Sequence, residues 1–159
     1  MTIAPRKARR AAEVEPRTGT NYPDPFRSRV QGRLKRALGD LFGLDQFGVN
    51  LTELPPGAFS ALRHWHSHED ELVYVLQGEV TLITNAGEEV LQPGDCVGFK
   101  AGAADGHHLT NRTKGPVRYL EVGSRRVDVD RVVYPDDDME VRPDGSGRRR
   151  MVHKDGTLY

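Results

Sequence analysis

The segment HWHSHEDE, residues 64–71, carries three histidines at alternate positions and ends in three acidic residues. Imidazole nitrogens and carboxylate oxygens are common donors to divalent transition metals. Residues two apart on a strand point to the same face, so His64 and His66 can bind one cation together. The alternative pair, His66 and His68, leaves only two residues before Glu71, which is tight for a hairpin turn. The spacing therefore predicts a metal site that contains His64 and His66.

Glu71 begins the apolar run ELVYVL, residues 71–76, which predicts a second strand. We expect SHED to form a turn, so that the two strands form a hairpin and Glu71 lies opposite the histidine pair. Both faces of this strand are apolar beyond Glu71, so we expect both faces to be covered. A carboxylate in such surroundings requires a cation or hydrogen bonds. Two histidines and a carboxylate suit Fe(II), Mn(II), Ni(II), Zn(II) or Cu(II).

A fourth ligand is expected from HHLTN, residues 107–111. His107 and His108 point to opposite faces of one strand, so at most one of them reaches the same cation. His153 stands alone, and we expect it to be a solvated or hydrogen-bonded histidine without a metal. Because imidazole binds metal only in its neutral form, metal affinity should fall below about pH 6.

The elements that position these residues have the pattern of a β protein. Between residues 47 and 133, short runs rich in Val, Leu, Phe and Tyr alternate with turn sequences such as PPG, NAG and PGD. The runs are FGVNLTEL, ALRHWH, ELVYVL, EVTLIT, EEVLQ, DCVGF, HHLTN, VRYLEVG and RVVY. No helix-length pattern interrupts them, which favours an all-β antiparallel sandwich or barrel over 47–133.

The segments on either side of residues 47–133 differ in composition. Residues 1–24 are basic and offer little to bury, so we expect a flexible tail. Residues 25–46 predict an arm or a short helix, because apolar residues recur at helical spacing but glycines interrupt them. Residues 134–159 contain DGSG between two strand-like runs, which predicts a hairpin outside the barrel or against a partner subunit.

Composition excludes several classes of function. The chain has 159 residues, enough for one domain, and its 23 basic residues are balanced by 23 acidic ones. Nucleic acid and anionic membranes require a basic field, so we expect neither as a partner. The single cysteine, Cys96, cannot form a disulfide within the chain, and no apolar run approaches the ~20 residues of a membrane-spanning helix. These features predict a cytoplasmic protein with a small-molecule ligand.

The two histidine segments resemble the two motifs of the cupin superfamily. The first motif consists of a glycine, His-x-His, a glutamate and a second glycine at set spacings. Residues 57–78, GAFSALRHWHSHEDELVYVLQG, match it with one extra residue after Gly57. GDCVGFKAGAADGHHLTN, residues 94–111, matches the second motif with two departures. Lys100 stands where proline is usual, and the loop before the histidine is two residues longer.

This resemblance implies a double-stranded β-helix, a small jelly-roll barrel with a metal inside. The spacing to Asn111 assigns the second-motif histidine to His107, and gives Asn111 a structural role. The ligands that the resemblance implies are His64, His66, Glu71 and His107. The remaining coordination positions would go to water or substrate, which leaves the metal open for catalysis.

Within the superfamily, the chain is most similar to small single-domain bacterial cupins of the mannose-6-phosphate isomerase-like group. We expect a metal-dependent enzyme acting on a small polar molecule. The chemistry would be that of an isomerase or epimerase on a sugar or sugar phosphate, or of a dioxygenase or lyase on a small organic acid. The alternatives are a non-catalytic module that binds metal or a small ligand, and a cupin-type regulator. The candidates for acid–base work beyond the ligands are Tyr119, Glu121 and Lys100.

The outer row of the second strand predicts how the chain assembles. Leu72, Tyr74 and Leu76 share the face opposite Glu71. An apolar row on a small barrel favours packing against another copy. We therefore expect a homodimer, with residues 25–50 or the C-terminal hairpin contributing to the contact.

Overall fold

The computed structural model describes residues 8–159, and nearly all their regular structure is β. The strands are β1 (Leu34–Ala37), β2 (Phe47–Leu54), β3 (Trp65–His66), β4 (Glu71–Gln77), β5 (Val80–Thr84), β6 (Gly87–Leu91), β7 (Cys96–Phe99), β8 (His108–Thr110), β9 (Val117–Ser124), β10 (Val132–Tyr134), β11 (Met139–Pro143) and β12 (Arg149–Val152). The helices are short: α1 (Leu38–Leu41) and the 3-10 helices Ala11–Glu13 and Phe26–Val30. None of the helices in residues 8–159 could span a membrane. Residues 1–7, where the predicted tail begins, lie outside the described residues.

The strands pair antiparallel throughout and form three sheets. The sheet orders are β1-β2-β9-β4-β7, β12-β11-β10-β3 and β6-β5-β8. This arrangement confirms the predicted all-β fold, with the architecture of a double-stranded β-helix. The predicted C-terminal hairpin is also confirmed, since β11 and β12 pair from Glu140 opposite Val152 to Pro143 opposite Arg149.

One core joins the five-stranded sheet to the three-stranded sheet. Alternate residues of β4, Val73 and Val75, point into it and are only 3% and 0% exposed. Val80, Leu82 and Leu109 approach from the other sheet. Burying one such side chain stabilises the fold by about 1.5–3 kcal/mol, so this packing fixes the distance between the two walls of the barrel.

The outer face of β4 is exposed in the single chain. Leu72, Tyr74 and Leu76 are 44%, 41% and 45% exposed. The expectation that both faces of this strand are covered is therefore wrong for one chain, because no element of residues 8–159 packs over this row. The row stays the predicted contact surface of a homodimer.

The predicted hairpin of ALRHWH with ELVYVL is wrong. β3 pairs with β10 in the four-stranded sheet, whereas β4 lies between β9 and β7 in the five-stranded sheet. Both edges of β4 are thus already paired, and the SHED segment carries the chain from one sheet to the other. Glu71 nevertheless meets the histidines, because the two sheets face each other across the barrel.

The N-terminal residues attach to the barrel before β1 begins. Arg17 and Lys35 exchange backbone hydrogen bonds of 2.8 and 3.1 Å. Tyr22 is buried against Tyr134, with ring centroids 5.7 Å apart. Gly32 then turns the chain into β1 with a φ of +87°, a left-handed conformation that favours glycine. This turn sets the direction of β1 along the edge of the five-stranded sheet.

Candidate metal centre

A pair of backbone hydrogen bonds places two of the predicted ligands side by side. The N–H of His64 donates to the carbonyl of His107 at 3.1 Å, and the reverse bond is 2.9 Å. The two imidazole rings are 5.1 Å apart between centroids. His66, on the same face as His64, brings its ring to 5.2 Å from that of His64. Three imidazoles from two separate segments therefore surround one space.

Glu71 reaches this space from the opposite sheet. Donor atoms of His64, His66 and Glu71 all lie within 4.8 Å of one another. The Oε2 atom of Glu71 is 3.3 Å from Nε2 of His107. The structure thus brings together the four side chains that the sequence predicts as metal ligands.

The Nδ1 atom of each imidazole faces an acceptor. Nδ1 of His64 lies 2.7 Å from the Leu62 carbonyl, and Nδ1 of His107 lies 3.2 Å from the Asp105 carbonyl. A carbonyl oxygen only accepts, so both Nδ1 atoms donate. The neutral rings then present Nε2 lone pairs to the space between them, which is the orientation of metal-bound histidine.

The contact between His107 and Glu71 tests whether the site fits a cation. With Nδ1 of His107 donating to a carbonyl, Nε2 of a neutral ring carries a lone pair that faces a carboxylate oxygen at 3.3 Å. Two acceptors in that position require a proton or a metal ion between them. The donor set therefore fits a divalent transition metal, with Phe99 stacked 3.4 Å from the His107 ring to hold it in place.

The protonation states also fit a metal. Burial lowers the pKa of His64 to about 3, against the opposing attraction of Glu71, so this imidazole is neutral at physiological pH. Burial alone would raise the pKa of Glu71, but its close contact with the His107 ring and the neighbouring imidazoles outweigh it and lower that pKa. A neutral imidazole and an ionised carboxylate are the forms that coordinate metals.

A cavity of about 380 Å³ opens beside these four side chains. Its wall is the inner face of the five-stranded sheet, where Gly48, Gly123 and Glu71 form one row across β2, β9 and β4. The guanidinium of Arg125 lies over Gly48 and the Asp70 carbonyl faces Gly123, at 3.4 and 3.5 Å from where a side-chain carbon would begin. The metal ligands and this wall therefore line one cavity that a small ligand could enter.

The next rows of that wall are polar. Glu121 lies opposite Asn50 and Val73, and accepts hydrogen bonds from Lys35 at 2.6 Å and from Asn50 at 3.3 Å. Tyr119 is fully buried on the same face, and its hydroxyl makes no hydrogen bond within residues 8–159. Burial raises the pKa of Tyr119 well above its usual value, so the hydroxyl stays protonated. The cavity thus offers an acceptor and a donor beyond the metal ligands.

Comparisons with known proteins agree with this fold. Residues 50–123 match the family profile described as Cupin domain. A sugar phosphate isomerase from a cupin superfamily, from Silicibacter pomeroyi, is 40% identical, with a TM-score of 0.87 and coverage of 93% of each chain. The chain belongs to the cupin superfamily.

Two further structures support the assignment at different levels. A protein from Acidithiobacillus ferrooxidans is 32% identical to this cupin, with a TM-score of 0.71 and coverage of 80% of each chain. The polyketide cyclase RemF from Streptomyces resistomycificus is 20% identical, with a TM-score of 0.62 over 75% of this chain and 79% of its own. The second likeness is one of fold alone. The curated proteins contain no match.

Asp130 holds His66 in this cupin, and sequence reasoning missed it. Its carboxylate is fully buried and lies 2.8 Å from Nδ1 of His66. Burial would lower the pKa of His66, but the hydrogen bond and charge of Asp130 outweigh it and raise that pKa. Arg149 of the C-terminal hairpin binds Asp130 at 3.3 Å and also pairs with Glu69. No spacing rule links these residues, because they meet only through the fold.

Glu69 belongs to the SHED segment, which was predicted to be a turn, yet its side chain is buried. It is only 9% exposed and accepts the backbone N–H of Arg126 at 2.6 Å. His66, Glu69 and Asp130 form a second group with metal-ligand chemistry. Because Arg149 already pairs with both carboxylates, we interpret this group as the support of His66.

The other histidines lie outside the group of four candidate ligands, although His108 lines the same cavity. His68 is exposed, with Nδ1 2.8 Å from the Ser67 hydroxyl. His108 points to the opposite face of β8, where its ring packs 5.3 Å from that of Phe59. His153 pairs with Asp138 at 2.8 Å.

Two second-motif residues also have clear positions. The Lys100 side chain is 78% exposed and pairs with Asp70 at 2.8 Å, outside the metal site. Asn111 is fully buried and donates to the carbonyls of Leu54 and Gly115, both at 2.8 Å. Asn111 thus has the structural contacts that the resemblance implies.

Proposed function

We propose that this cupin is a metal-dependent enzyme that interconverts the aldose and ketose forms of a small sugar phosphate. The observation that carries the proposal is the combination of an open four-donor site with a polar wall in one cavity of about 380 Å³. The name of the Silicibacter pomeroyi relative, a sugar phosphate isomerase, supports the same substrate class. His64, His66, Glu71 and His107 would hold the metal, which supplies a Lewis acid for a substrate carbonyl when it is bound.

Glu121 would move the proton between carbons. It lies two residues from Gly123 on β9, hence about 7 Å along the strand from the row that contains Glu71. That distance leaves room for the reacting carbons of a sugar between the carboxylate and the metal site. Glu121 would take the proton from the carbon next to the carbonyl and return it to the former carbonyl carbon.

Tyr119 would complete the exchange at oxygen. Its hydroxyl is protonated and buried on the same face as Glu121, and it makes no hydrogen bond in the described part of the chain. It would donate its proton to the carbonyl oxygen and take one from the neighbouring hydroxyl, so that the substrate and product have the same atoms. An unpartnered donor is costly to bury, and a substrate oxygen would satisfy it.

The test is a turnover assay with a matched pair of glutamate variants. Metal-loaded protein is incubated with a panel of aldose and ketose phosphates, and interconversion is followed by NMR. We expect at least one pair to interconvert, and Glu121→Gln to lower the rate by about 100-fold or more at unchanged metal content. Glu89→Gln, on the exposed β6, is the control and should keep full activity.

The metal-loaded protein could bind members of the panel and convert none of them. That result would reject the isomerase and favour the non-catalytic binding module. Turnover at equal rates in Glu121→Gln and Glu89→Gln would instead remove Glu121 from the proposed mechanism.

A further inference from the structure

We propose that Arg33 is the anchor for the phosphoryl group of the ligand, so that this residue of the N-terminal arm selects phosphorylated substrates. The inference deepens the proposed function and rests on it for the identity of the anion as a phosphate ester. The existence of an anion subsite at Arg33 rests on the structure of the cavity.

The charges that line the cavity single out this residue. Four cationic side chains line it: Arg33, Lys35, Arg125 and Arg149. Three of them are neutralised by carboxylates. Lys35 pairs with Glu121, and Arg125 pairs with Asp40. Arg149 pairs with both Glu69 and Asp130. Arg33 makes no ion pair with any carboxylate in residues 8–159. It is therefore the cationic group of this cavity whose charge remains for a ligand.

The backbone holds Arg33 in a fixed position. It follows the turn at Gly32 directly, and its Nη1 atom donates to the carbonyl of Ser60. Ser60 is itself fixed by Leu109, through backbone and side-chain hydrogen bonds of 2.8 and 2.9 Å. One contact orients the guanidinium and leaves its other N–H groups for a ligand. A planar guanidinium with parallel donors matches the oxygens of a phosphoryl group.

Arg33 also lies within reach of the reacting part of the cavity. It lines the cavity together with His64 and Tyr119, and lines the adjoining cleft with Tyr22 and Tyr134. Burial raises the pKa of Tyr119 and of Tyr134, and the positive charge of Arg33 opposes both rises. Since the guanidinium is half-buried, its attraction for an anion is stronger than that of a surface arginine.

Arg33 and the candidate metal ligands line the same cavity, so one ligand with two polar ends could contact both. The metal site would receive the carbonyl end, and Arg33 the phosphoryl end. Arg33 precedes residue 50, where the match to the Cupin domain begins, so the anchor comes from the arm that this chain adds to the barrel.

The experiment is a calorimetric titration of the full metal-loaded chain with four probes. The probes are inorganic phosphate, fructose 6-phosphate, fructose and gluconate. We expect the wild-type protein to bind phosphate, and to bind fructose 6-phosphate at least about tenfold more tightly than fructose or gluconate. Arg33→Gln should weaken both phosphorylated probes by at least about tenfold, with unchanged metal content and affinity for fructose.

Two further variants serve as controls. Arg112→Gln removes an exposed arginine that pairs with Glu88 at 2.6 Å, and should change none of the four affinities. Arg33→Lys keeps the charge but loses the fork of donors, and should fall between wild type and Arg33→Gln. Circular dichroism and the thermal midpoint establish that each variant is folded.

The outcomes separate this inference from the proposed function. Equal phosphate affinity in Arg33→Gln and wild type, or tighter binding of gluconate than of fructose 6-phosphate, would overturn the anchor even if the enzyme isomerises sugars. Arg33-dependent binding of phosphate without any turnover would leave the anchor standing and reject the isomerase.

Discussion

The barrel and the segments that flank it contribute different groups to one cavity. The four candidate metal ligands all come from within residues 50–123, the part that matches the Cupin domain. The cations Arg33 and Lys35 come from the N-terminal arm, and Arg149 comes from the C-terminal hairpin. The barrel thus carries the candidate metal ligands, whereas the flanking segments carry cations that line the same cavity, among them the proposed anchor Arg33.

Asp130 lies on the boundary between the two regions. It follows the barrel strand β9, yet it holds a barrel ligand, His66, and is held in turn by Arg149 of the hairpin. The two contributions are therefore coupled through one buried carboxylate. Variants in each region should show which residues the metal site depends on.

The largest effect should come from a ligand in the barrel. His107→Ala should abolish stoichiometric metal binding, because it removes a donor and leaves the carboxylate of Glu71 without its partner. His108→Ala is the matched control, one residue along the same strand and pointing to the other face. Elemental analysis of both purified variants measures the difference. The ligand assignment fails if the two variants hold equal metal, or if His108→Ala is the one that loses it.

A smaller effect should come from the boundary residue. Asp130→Asn should weaken metal binding by about 10–100-fold, because it removes the charge that orients His66. Asp138→Asn is the control, since it alters a carboxylate at the same 2.8 Å from a histidine, His153, away from the site. A competitive titration against a chelator gives both affinities. Identical affinities would show that the contact with Asp130 does not support the site.

Lowering the pH should release the metal by protonating His66 before His64. Burial opposes protonation of His64, whose pKa is about 3, whereas Asp130 outweighs burial at His66 and raises its pKa. Protonated imidazole cannot coordinate, so metal retention is complete above the raised pKa of His66 and is lost as pH falls through it. We expect metal after dialysis at pH 7.5 and little at pH 4.5. Full retention at pH 4.5 would argue against a histidine-based site.

The smallest effect should come from Lys100, which stands where the second motif usually has proline. Lys100→Ala removes an exposed ion pair with Asp70, and such pairs contribute little. Metal content and turnover should stay within about twofold of wild type. A large loss of turnover in the assay with sugar phosphates would give Lys100 a place in the cavity that its position does not suggest.

The sequence allowed the strands to be predicted but not their neighbours. FGVNLTEL is β2 from its first residue to its last, because strand alternation and turn residues are local signals. The hairpin between ALRHWH and ELVYVL failed for the opposite reason, since a four-residue link can turn within one sheet or cross to another. Glu71 was predicted to lie near the histidines because the two strands were expected to form a hairpin. The hairpin does not form, and Glu71 reaches the histidines from the opposite sheet.

The residues around the candidate ligands depend on the fold more than on spacing. His64 and His66 share a face by simple alternation, and the family resemblance adds Glu71 and His107. Glu69 and Asp130, by contrast, meet only where the link after β3 packs against the segment before β10. Arg33 lies in an arm whose glycines left its conformation open, so its position beside the cavity could not be predicted.

Anomalous diffraction from a crystal of the metal-loaded protein tests the central claim most directly. We predict one peak in residues 8–159, bound by His64, His66, His107 and Glu71. The peak should lie about 2.0–2.2 Å from the Nε2 atom of each histidine and from the Glu71 carboxylate. A peak among His66, Glu69 and Asp130, or one at His68, would contradict the account.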